Sequence, residues 1–448
     1  MAYFISSFVS VQAQESSGSW KAGVAKVNIT PSEPHWLAGY ASRTAPSDGK
    51  LTDLWVKALY LEDAGGKRSV LITSDLLGMP KALSDDIRTE INRKYGLKID
   101  EVLINSSHTH SGPVLEAALV DIYELDEKNK QRVIAYSAQL GKQIVELVGM
   151  AMKDIKPVKI FSENGVTRFQ VNRRNNKEAN LEQQTSLSGP NDYAVPVLKV
   201  IDAESNNLMA IGFGYACHPT VLSSNEWSGD YVGFAQIELE KEYPGALAMF
   251  FQCTGADQNP LPRRTVGLAK QYGKTLAAAV TRVLEEDMKE LAPILTTGYK
   301  EIDLKLATPP TREELEKVAA EASGYESRWA KRMIEKIDRK EKLRTSYPYP
   351  IQLWSLGDQK IVALGGEVVI EYSIQVKKLL GKDTFVLGYS NDVMAYIPSD
   401  IILKEGGYEG DTSQKVYGLP AKWAEGIEKS ILTGVSDLAG QSINNKEQ

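Results

Sequence analysis

Short apolar runs rich in β-branched residues alternate with helical periods along most of this chain, and no other sequence feature restricts its fold as strongly. The predicted strands cover residues 56–61, 69–73, 101–105, 197–201, 209–215, 246–251, 360–364 and 384–389. The predicted helices cover residues 84–95, 130–153, 231–243, 267–284, 368–380 and 421–433. This alternation is typical of an α/β protein. We therefore predict a mixed β-sheet core flanked by helices, in a single large domain.

The predicted domain covers residues 20–437, with a charged helical insertion at about 309–345 and a polar tail at 438–448. The insertion opens at Thr311, which can cap a helix whose early glutamates favour its positive end. Alternating charges are typical of a solvated face, so we expect an exposed helix or helical pair without chemistry. A helix that binds a partner is the alternative.

Composition and the N-terminus bear on partners and location. The net charge of -6 argues against a general nucleic-acid partner. Residues 1–14 are apolar and end near a small-x-small site, which resembles the remnant of a signal peptide and predicts a secreted or periplasmic protein. Because no basic segment precedes them, the alternatives are a start codon further upstream or a ragged apolar terminus. No later stretch approaches a membrane span, and Cys217 and Cys253 allow at most one disulfide.

Histidine is scarce, and its distribution points to a site. Of the four histidines, three lie in two short segments, His108-Thr109-His110 and Cys217-His218-Pro219, each directly after a predicted strand. The carboxyl ends of strands are where α/β sheets place their sites. In an extended segment His108 and His110 would point the same way. Three histidines suggest a zinc centre with one position open for water, whereas hydrogen-bonded loop histidines are the alternative.

Such a centre needs a carboxylate, and Glu367 is the best candidate. It follows Gly365-Gly366 at a predicted strand–helix junction, where a charged residue among apolar neighbours needs a partner. Stabilisation of the helix N-terminus by the carboxylate is an equal alternative on composition alone.

Several motifs together resemble the neutral, non-lysosomal ceramidases. They are His108-Thr109-His110-Ser111-Gly112-Pro113, Cys217-His218-Pro219-Thr220, Gly365-Gly366-Glu367, Gly388-Tyr389-Ser390-Asn391, and Gly407-Tyr408-Glu409-Gly410. They occur in that family's order, and the resemblance covers the chain from about Gly23 to Gly418. The resemblance makes residues 20–437 a catalytic domain of this family. Full-length relatives continue into an immunoglobulin-like domain, which we do not expect here because the chain ends about thirty residues after Tyr417.

The resemblance implies a zinc site and a set of groups around the scissile amide. The implied zinc ligands are His108, His218, Glu367 and Tyr396. The implied catalytic residues are His110, Tyr408 and Arg173. Here Arg174 competes with Arg173, and a surface charge is the alternative for either. Half-buried aromatic residues with solvated hydroxyl groups are the alternative for the two tyrosines.

The implied activity is hydrolysis of an N-acyl amide, in ceramide or a related lipid amide, by zinc-activated water. His110 is the expected general acid for the leaving amine, because a histidine pKa can lie near the working pH. A lipid substrate would also imply peripheral contact with a membrane surface.

One segment departs from the family's pattern. Asn259 stands where the family has a serine, so a serine nucleophile is absent at this position. Asp257 either orients the site or forms an Asx turn before Pro260. From a different functional class, the alternative is a non-catalytic secreted protein that binds a lipid or glycan on a decayed hydrolase scaffold.

Overall fold

The computed structural model describes residues 18–444, with side chains described up to residue 440. The strands, numbered along the chain, are β1 Trp20–Asn28, β2 Gly49–Lys50, β3 Trp55–Glu62, β4 Arg68–Ser74, β5 Val102–Ser106, β6 Lys156–Val166, β7 Gln170–Asn172, β8 Ala194–Asp202, β9 Leu208–Tyr215, β10 Glu226–Trp227, β11 Leu247–Gln252, β12 Gln258–Pro260, β13 Lys289–Glu290, β14 Leu295–Lys305, β15 Ser346–Leu356, β16 Gln359–Leu364, β17 Glu367–Val368, β18 Phe385–Leu387 and β19 Tyr396–Ile397. The α-helices are α1 Lys81–Tyr95, α2 Glu127–Lys153, α3 Asp230–Glu242, α4 Val266–Glu285, α5 Arg312–Glu321, α6 Gly324–Asp338, α7 Glu371–Leu380, α8 Asp400–Glu405, α9 Ser413–Val416 and α10 Ile427–Asn444. The predicted signal-peptide remnant at 1–14 lies outside the described residues.

Two mixed sheets form the centre of the protein. In the described residues, the larger sheet has the order β11-β9-β8-β6-β1-β3-β4-β5, with β13 paired to β6. The smaller sheet has the order β14-β15-β16-β18. Antiparallel pairs predominate, but β4 with β5, β9 with β11, and β16 with β18 run parallel. These parallel pairs bring the carboxyl ends of several strands to common edges, where α/β proteins place their sites.

The two sheets pack face to face, and helices cover their outer faces. Apolar side chains of both sheets share one buried cluster, which includes Leu103, Phe251, Trp354 and Phe385. Helices α1 and α2 cover one part of the larger sheet's outer face, α3 and α4 cover another part, and α7 and α10 cover the smaller sheet. Because successive strand residues point to opposite faces, this four-layer arrangement buries both sides of the central strands. The predicted α/β class, with a mixed sheet flanked by helices, is confirmed.

The predicted elements all have counterparts, but several boundaries differ and some strands were not predicted. The helix predicted from 368 begins at Glu371, after the short strand β17, and the helix predicted at 421–433 begins at Ile427 and ends at Asn444. The long strands β1, β6, β14 and β15 were missed. Strand β14 has largely exposed or half-buried residues, so it lacks the apolar run that indicates a strand.

The insertion and the tail both have defined structure. Helices α5 and α6 occupy the region predicted as a charged insertion at 309–345, between adjacent strands β14 and β15. Helix α10 extends into the region 438–448 predicted as a polar tail, and its Leu438 and Ala439 are buried. Cys217 and Cys253 are both buried and free. Among residues 18–444, no helix has both the length and the apolar character needed to cross a membrane.

Candidate metal centre

Four chain segments that follow strands converge on one buried site. His108 and His110 follow β5, His218 follows β9, Glu367 follows β16, and Tyr396 begins β19 beyond β18. Strand β17 pairs with β19 in parallel, and in that register Glu367 lies opposite Tyr396. The sheet edges therefore bring together residues that are up to 288 positions apart in sequence, between His108 and Tyr396.

The local geometry at His108 differs from the extended segment that the sequence predicted. Strand β5 ends at Ser106, and His108 has a φ of 66°, in the left-handed region that a β-carbon disfavours. The segment therefore turns, and the turn rather than strand alternation brings the Nε2 atoms of His108 and His110 to 3.3 Å. Backbone strain of this kind persists where the surrounding structure enforces it, frequently at functional sites.

At the centre, one oxygen atom of a carboxylate lies close to a nitrogen atom of each of two imidazoles. Glu367 Oε2 lies 3.1 Å from His108 Nε2 and 3.0 Å from His218 Nε2. All three side chains are at most 3% exposed. Imidazole nitrogen and carboxylate oxygen are the ligand atoms that zinc prefers together. The arrangement thus has the donor set of a metal site.

The hydrogen bonds around the two histidines test whether a cation fits. His108 Nδ1 donates to Leu77 O at 2.6 Å, and His218 Nδ1 donates to Gly255 O at 2.8 Å. A neutral imidazole has one N–H, so both Nε2 atoms present lone pairs to the carboxylate. Burial and the nearby Arg173 lower the pKa of His218 to about 4, so this ring is neutral near pH 7. Lone pairs that face a carboxylate need a positive charge between them, which a divalent cation would supply.

Glu367 carries the negative charge of the centre. Burial opposes its ionisation, and positive charge at the positions of His108 and His218 holds the pKa of Glu367 well below its usual range; where the rings are neutral, a bound cation would have to supply that charge. Tyr417 donates a hydrogen bond of 2.5 Å to the other carboxylate oxygen, Oε1. The hydroxyl therefore orients the carboxylate and leaves Oε2 for the centre.

His110 differs from the other two histidines of the cluster. Candidate ligand atoms of His108, His110 and His218 all lie within 4.8 Å of one another, so distance alone admits all three as ligands. Histidines that bind a metal almost always donate their second N–H to a fixed partner. The Nδ1 atom of His110 is buried and makes no hydrogen bond within the described residues. Its surroundings thus favour a role beside the centre rather than in it.

The ionisation of His110 differs from what a general acid near neutral pH requires. Burial first, and then the neighbouring His108 and His218, lower the pKa of His110 well below its usual value. The imidazole is therefore neutral at pH 7. A proton that it donates must first be taken up during the reaction.

Arg173 and two tyrosines form one side of the site. Arg173 donates to Tyr396 Oη at 3.1 Å, and its guanidinium lies 5.9 Å from the ring centre of Tyr408. Arg174 instead pairs with Glu405 and Glu409. Of the two arginines that the sequence offered for the site, Arg173 is therefore the one that contacts its tyrosines. The hydroxyl of Tyr396 lies 3.4 Å from His218 Nε2. Tyr408 is 43% exposed and lies between the centre and solvent.

Three site residues were not predicted from the sequence. Tyr417 orients Glu367, as described above, and Glu409 accepts from Arg173 Nε at 2.8 Å. Gly39 lies against the imidazole of His110, where an added β-carbon would be 2.5 Å from the ring. Glu409 belongs to the same Gly-Tyr-Glu-Gly motif as Tyr408, and its buried charge would have been the signal. Tyr417 and Gly39 gave no comparable signal, because both act through distant residues.

Asp257 directly precedes strand β12 and Asn259 lies within it, beside the centre. Asp257 accepts from the backbone N–H of Ile370 at 2.9 Å and from Asn172 at 3.0 Å. It thus connects three segments of the site, in place of the Asx turn considered from the sequence. Asn259, at the position where the family has a serine, is buried, and its Oδ1 lies 3.4 Å from Arg173 Nη1.

The centre opens into a small cavity of about 130 Å³, which is lined by all the predicted site residues except His218 and Arg173. Together, the two-sheet fold and this buried group of imidazoles, carboxylate and tyrosine define the chain first as an α/β protein with a candidate catalytic metal centre. The model of the neutral/alkaline non-lysosomal ceramidase N-terminal region matches residues 20–260. Because that match covers more than half of the chain, the protein belongs to this family.

Comparisons with individual proteins agree with this membership. The chain is 27% identical over 289 residues to neutral ceramidase B of Dictyostelium discoideum, covering 58% of this chain and 39% of that protein. It is 24% identical over 265 residues to the neutral ceramidase of Pseudomonas aeruginosa, covering 56% and 38%. The crystal structure of neutral ceramidase from Pseudomonas aeruginosa aligns over 94% of this chain and 74% of that chain, with a TM-score of 0.72 and 18% identity. The fold is therefore shared, and the sequence matches span well under half of the curated relatives.

Proposed function

We propose that this chain is a zinc-dependent hydrolase that cleaves the amide bond of ceramide or a related N-acyl lipid. The observation that carries the proposal is the convergence of His108 Nε2 and His218 Nε2 on Glu367 Oε2, at 3.1 and 3.0 Å. Both imidazoles are fixed by backbone carbonyls, so their lone pairs are directed at the carboxylate. The names of the relatives, which are neutral ceramidases, support the substrate class.

In this proposal His108, His218, Glu367 and Tyr396 hold the metal. Zinc bound there would polarise the amide carbonyl and lower the pKa of a coordinated water towards about 7. Tyr417 keeps the carboxylate of Glu367 oriented through its hydrogen bond to Oε1. Such outer contacts fix the direction of the ligands and tune the centre.

His110 is the proposed proton carrier. Its pKa lies well below the usual histidine value, so the ring is neutral before the reaction; with its N–H at Nδ1, it would accept a proton at Nε2, which faces the centre. The same nitrogen then delivers the proton to the departing amine. The low pKa makes the neutral ring a weak base and the protonated ring a strong acid, so it favours delivery of the proton to the amine over its uptake.

Arg173 and Tyr408 are the proposed donors to the developing negative charge on the carbonyl oxygen. Glu409 fixes the guanidinium of Arg173 at 2.8 Å, and the rings of Tyr396 and Tyr408 lie 5.2 Å apart. Donors that are fixed before the reaction contribute most to stabilising the transition state, because they need no reorganisation. Delivery of a lipid amide to this site further implies export and contact with a membrane surface, which remain part of the proposal.

A hydrolysis screen tests the function. The purified protein is incubated with a short-chain ceramide, an N-acyl ethanolamine and an N-acyl amino acid, and fatty-acid release is measured by mass spectrometry. We expect release from at least one substrate, its loss after chelator treatment, and its return when Zn²⁺ is added. Stoichiometric zinc without release from any substrate would favour the non-catalytic binding protein instead.

A further inference from the structure

A second and larger cavity adjoins the candidate centre. Its volume is about 740 Å³, within the range of pockets that bind drug-sized molecules. Leu77, Leu119 and Tyr417 line both this cavity and the small cavity of the centre. Tyr417 also donates to Glu367, so the larger cavity begins one side chain away from the centre. We call it the outer cavity.

The helical insertion forms one wall of the outer cavity. Helix α6 contributes Arg332, Met333 and Lys336, and the segment that follows contributes Lys342 and Arg344. Trp329 on α6 donates to Leu419 O at 2.9 Å, and Arg332 forms an ion pair of 2.5 Å with the buried Asp121. The insertion is therefore anchored against the segments around the centre, rather than projecting freely into solvent.

The carboxylates that line the outer cavity are already partnered. Asp85 pairs with Lys81 at 3.2 Å, and Glu341 pairs with Arg339 at 2.7 Å. Asp392 accepts a hydrogen bond of 2.7 Å from Tyr347, and burial raises its pKa to about 7, which weakens its negative charge. These acidic groups leave little negative charge to balance further cations.

Three cations on the insertion side have no such partner. In the part of the chain that the structure describes, no carboxylate forms an ion pair with Lys336, Lys342 or Arg344. Arg344 lies 4.7 Å from the ring centre of Tyr347, and Lys336 is half-buried near Arg332 and Arg344, with Glu341 as the acidic group beside them. Apolar residues such as Leu115, Met333 and Met394 line the rest of the wall. The outer cavity thus combines an apolar surface with an excess of positive charge.

We propose that the outer cavity binds the anionic end of an N-acyl substrate whose amide reaches the candidate centre. This inference rests on the proposed function and narrows its substrate class to N-acyl compounds that carry a carboxylate, sulfonate or phosphate. The apolar wall accommodates methylene groups, and Lys336 and Arg344 attract the charge. A neutral lipid amide would use only the first of these features.

The test compares two ligands that differ only at one end. Both are non-hydrolysable analogues of N-lauroyl-aminohexanoate, with a methylene group in place of the amide N–H. One ends in a carboxylate and the other in a primary alcohol. Their affinities for the purified full chain are measured by isothermal titration calorimetry below the micelle concentration. We expect the carboxylate ligand to bind about 5- to 10-fold more tightly, in line with two partly exposed charge contacts, and the preference to shrink as salt is added.

Matched variants assign the preference to the proposed cations. The double variant Lys336→Gln/Arg344→Gln should bind both ligands equally, with an unchanged affinity for the alcohol. The control Lys317→Gln/Lys331→Gln removes two exposed charges from α5 and α6 away from the outer cavity, and it should keep the preference. Equal thermal midpoints of the variants would show that they fold.

Two results would overturn the inference. One is equal affinity of the wild-type chain for the two ligands, and the other is a preference that survives in Lys336→Gln/Arg344→Gln. Hydrolysis of the corresponding amides is followed separately. Selective binding without hydrolysis would refute the proposed function but support the proposed binding site. Hydrolysis without selective binding would support the proposed function but refute the proposed binding site.

Discussion

Gly39 is the residue on which the position of His110 depends most directly. Its φ is 112°, and an added β-carbon would lie 2.5 Å from both Cγ and Nδ1 of the imidazole. Because real contacts of this kind are longer, any larger residue at position 39 must displace the ring. Arg43, which donates to the carbonyl of His110 at 2.9 Å, fixes the backbone on the other side of the residue.

The variant Gly39→Ala should therefore slow catalysis without removing the metal. Displacement of a catalytic group by about 1 Å can cost on the order of 100-fold in rate, and we expect a loss of that size in kcat. The zinc content should persist, because the atoms nearest to the added β-carbon all belong to His110. Both quantities are measured on the same preparation.

Gly245→Ala is the matched control for this substitution. Gly245 also has a positive φ, 95°, but no atom lies within 4 Å of the added β-carbon. It should show the cost of backbone strain alone, with unchanged kcat. If the two variants had the same kcat, the position of His110 would not limit the reaction.

At the scale of elements, the short strands β12, β17 and β19 hold the centre together. The pair of β17 with β19 sets Glu367 opposite Tyr396, and Asp257, directly before β12, connects Ile370, which follows β17, to strand β7. Both carboxylate oxygens of Asp257 are used, and the residue is 1% exposed. Removing it leaves buried donors on Ile370 and Asn172 without acceptors.

Asp257→Ala should lower the free energy of unfolding by about 2–4 kcal/mol, because each buried unsatisfied donor costs about 1–3 kcal/mol. Urea unfolding of the purified variant measures this loss. Asp202→Ala is a suitable control, since Asp202 also accepts from two backbone N–H groups, those of Glu204 and Ser205, but in an exposed turn. Water can replace the lost acceptor there, so a change within about 0.5 kcal/mol is expected. An equal loss of unfolding free energy in the two variants would mean that the buried hydrogen bonds of Asp257 do not stabilise the site.

At the scale of the whole molecule, the sequence predicted the class of fold and the strands that lead to the site. Buried runs such as those of β9 and β11 are apolar throughout, so they were recognised. The alternating strands β6 and β14 were not, and without them neither the second sheet nor the packing of two sheets could be inferred. Their pairing depends on contacts between distant segments, which local sequence patterns do not reveal.

The residues of the candidate site were predicted from the sequence, but their local geometry and ionisation were not. The residues His108, His218, Glu367 and Tyr396 were predicted because motif order and residue type identify them, and the structure brings them together. The turn at His108 was predicted as extended, because its φ of 66° depends on surrounding loops rather than on its own residue type. The low pKa of His110 was missed for a related reason, since burial is a property of the assembled fold.

The most direct test of the account is the zinc content of the wild-type chain and two histidine variants, measured by elemental analysis of protein purified without chelator. We expect one zinc per wild-type chain, loss of zinc and activity together in His108→Ala, and retention of most zinc in His110→Ala. The last variant should lose about 100-fold or more in kcat, because His110 acts only on the reacting groups. A wild-type chain free of transition metal, or equal loss of zinc in both variants, would contradict the account.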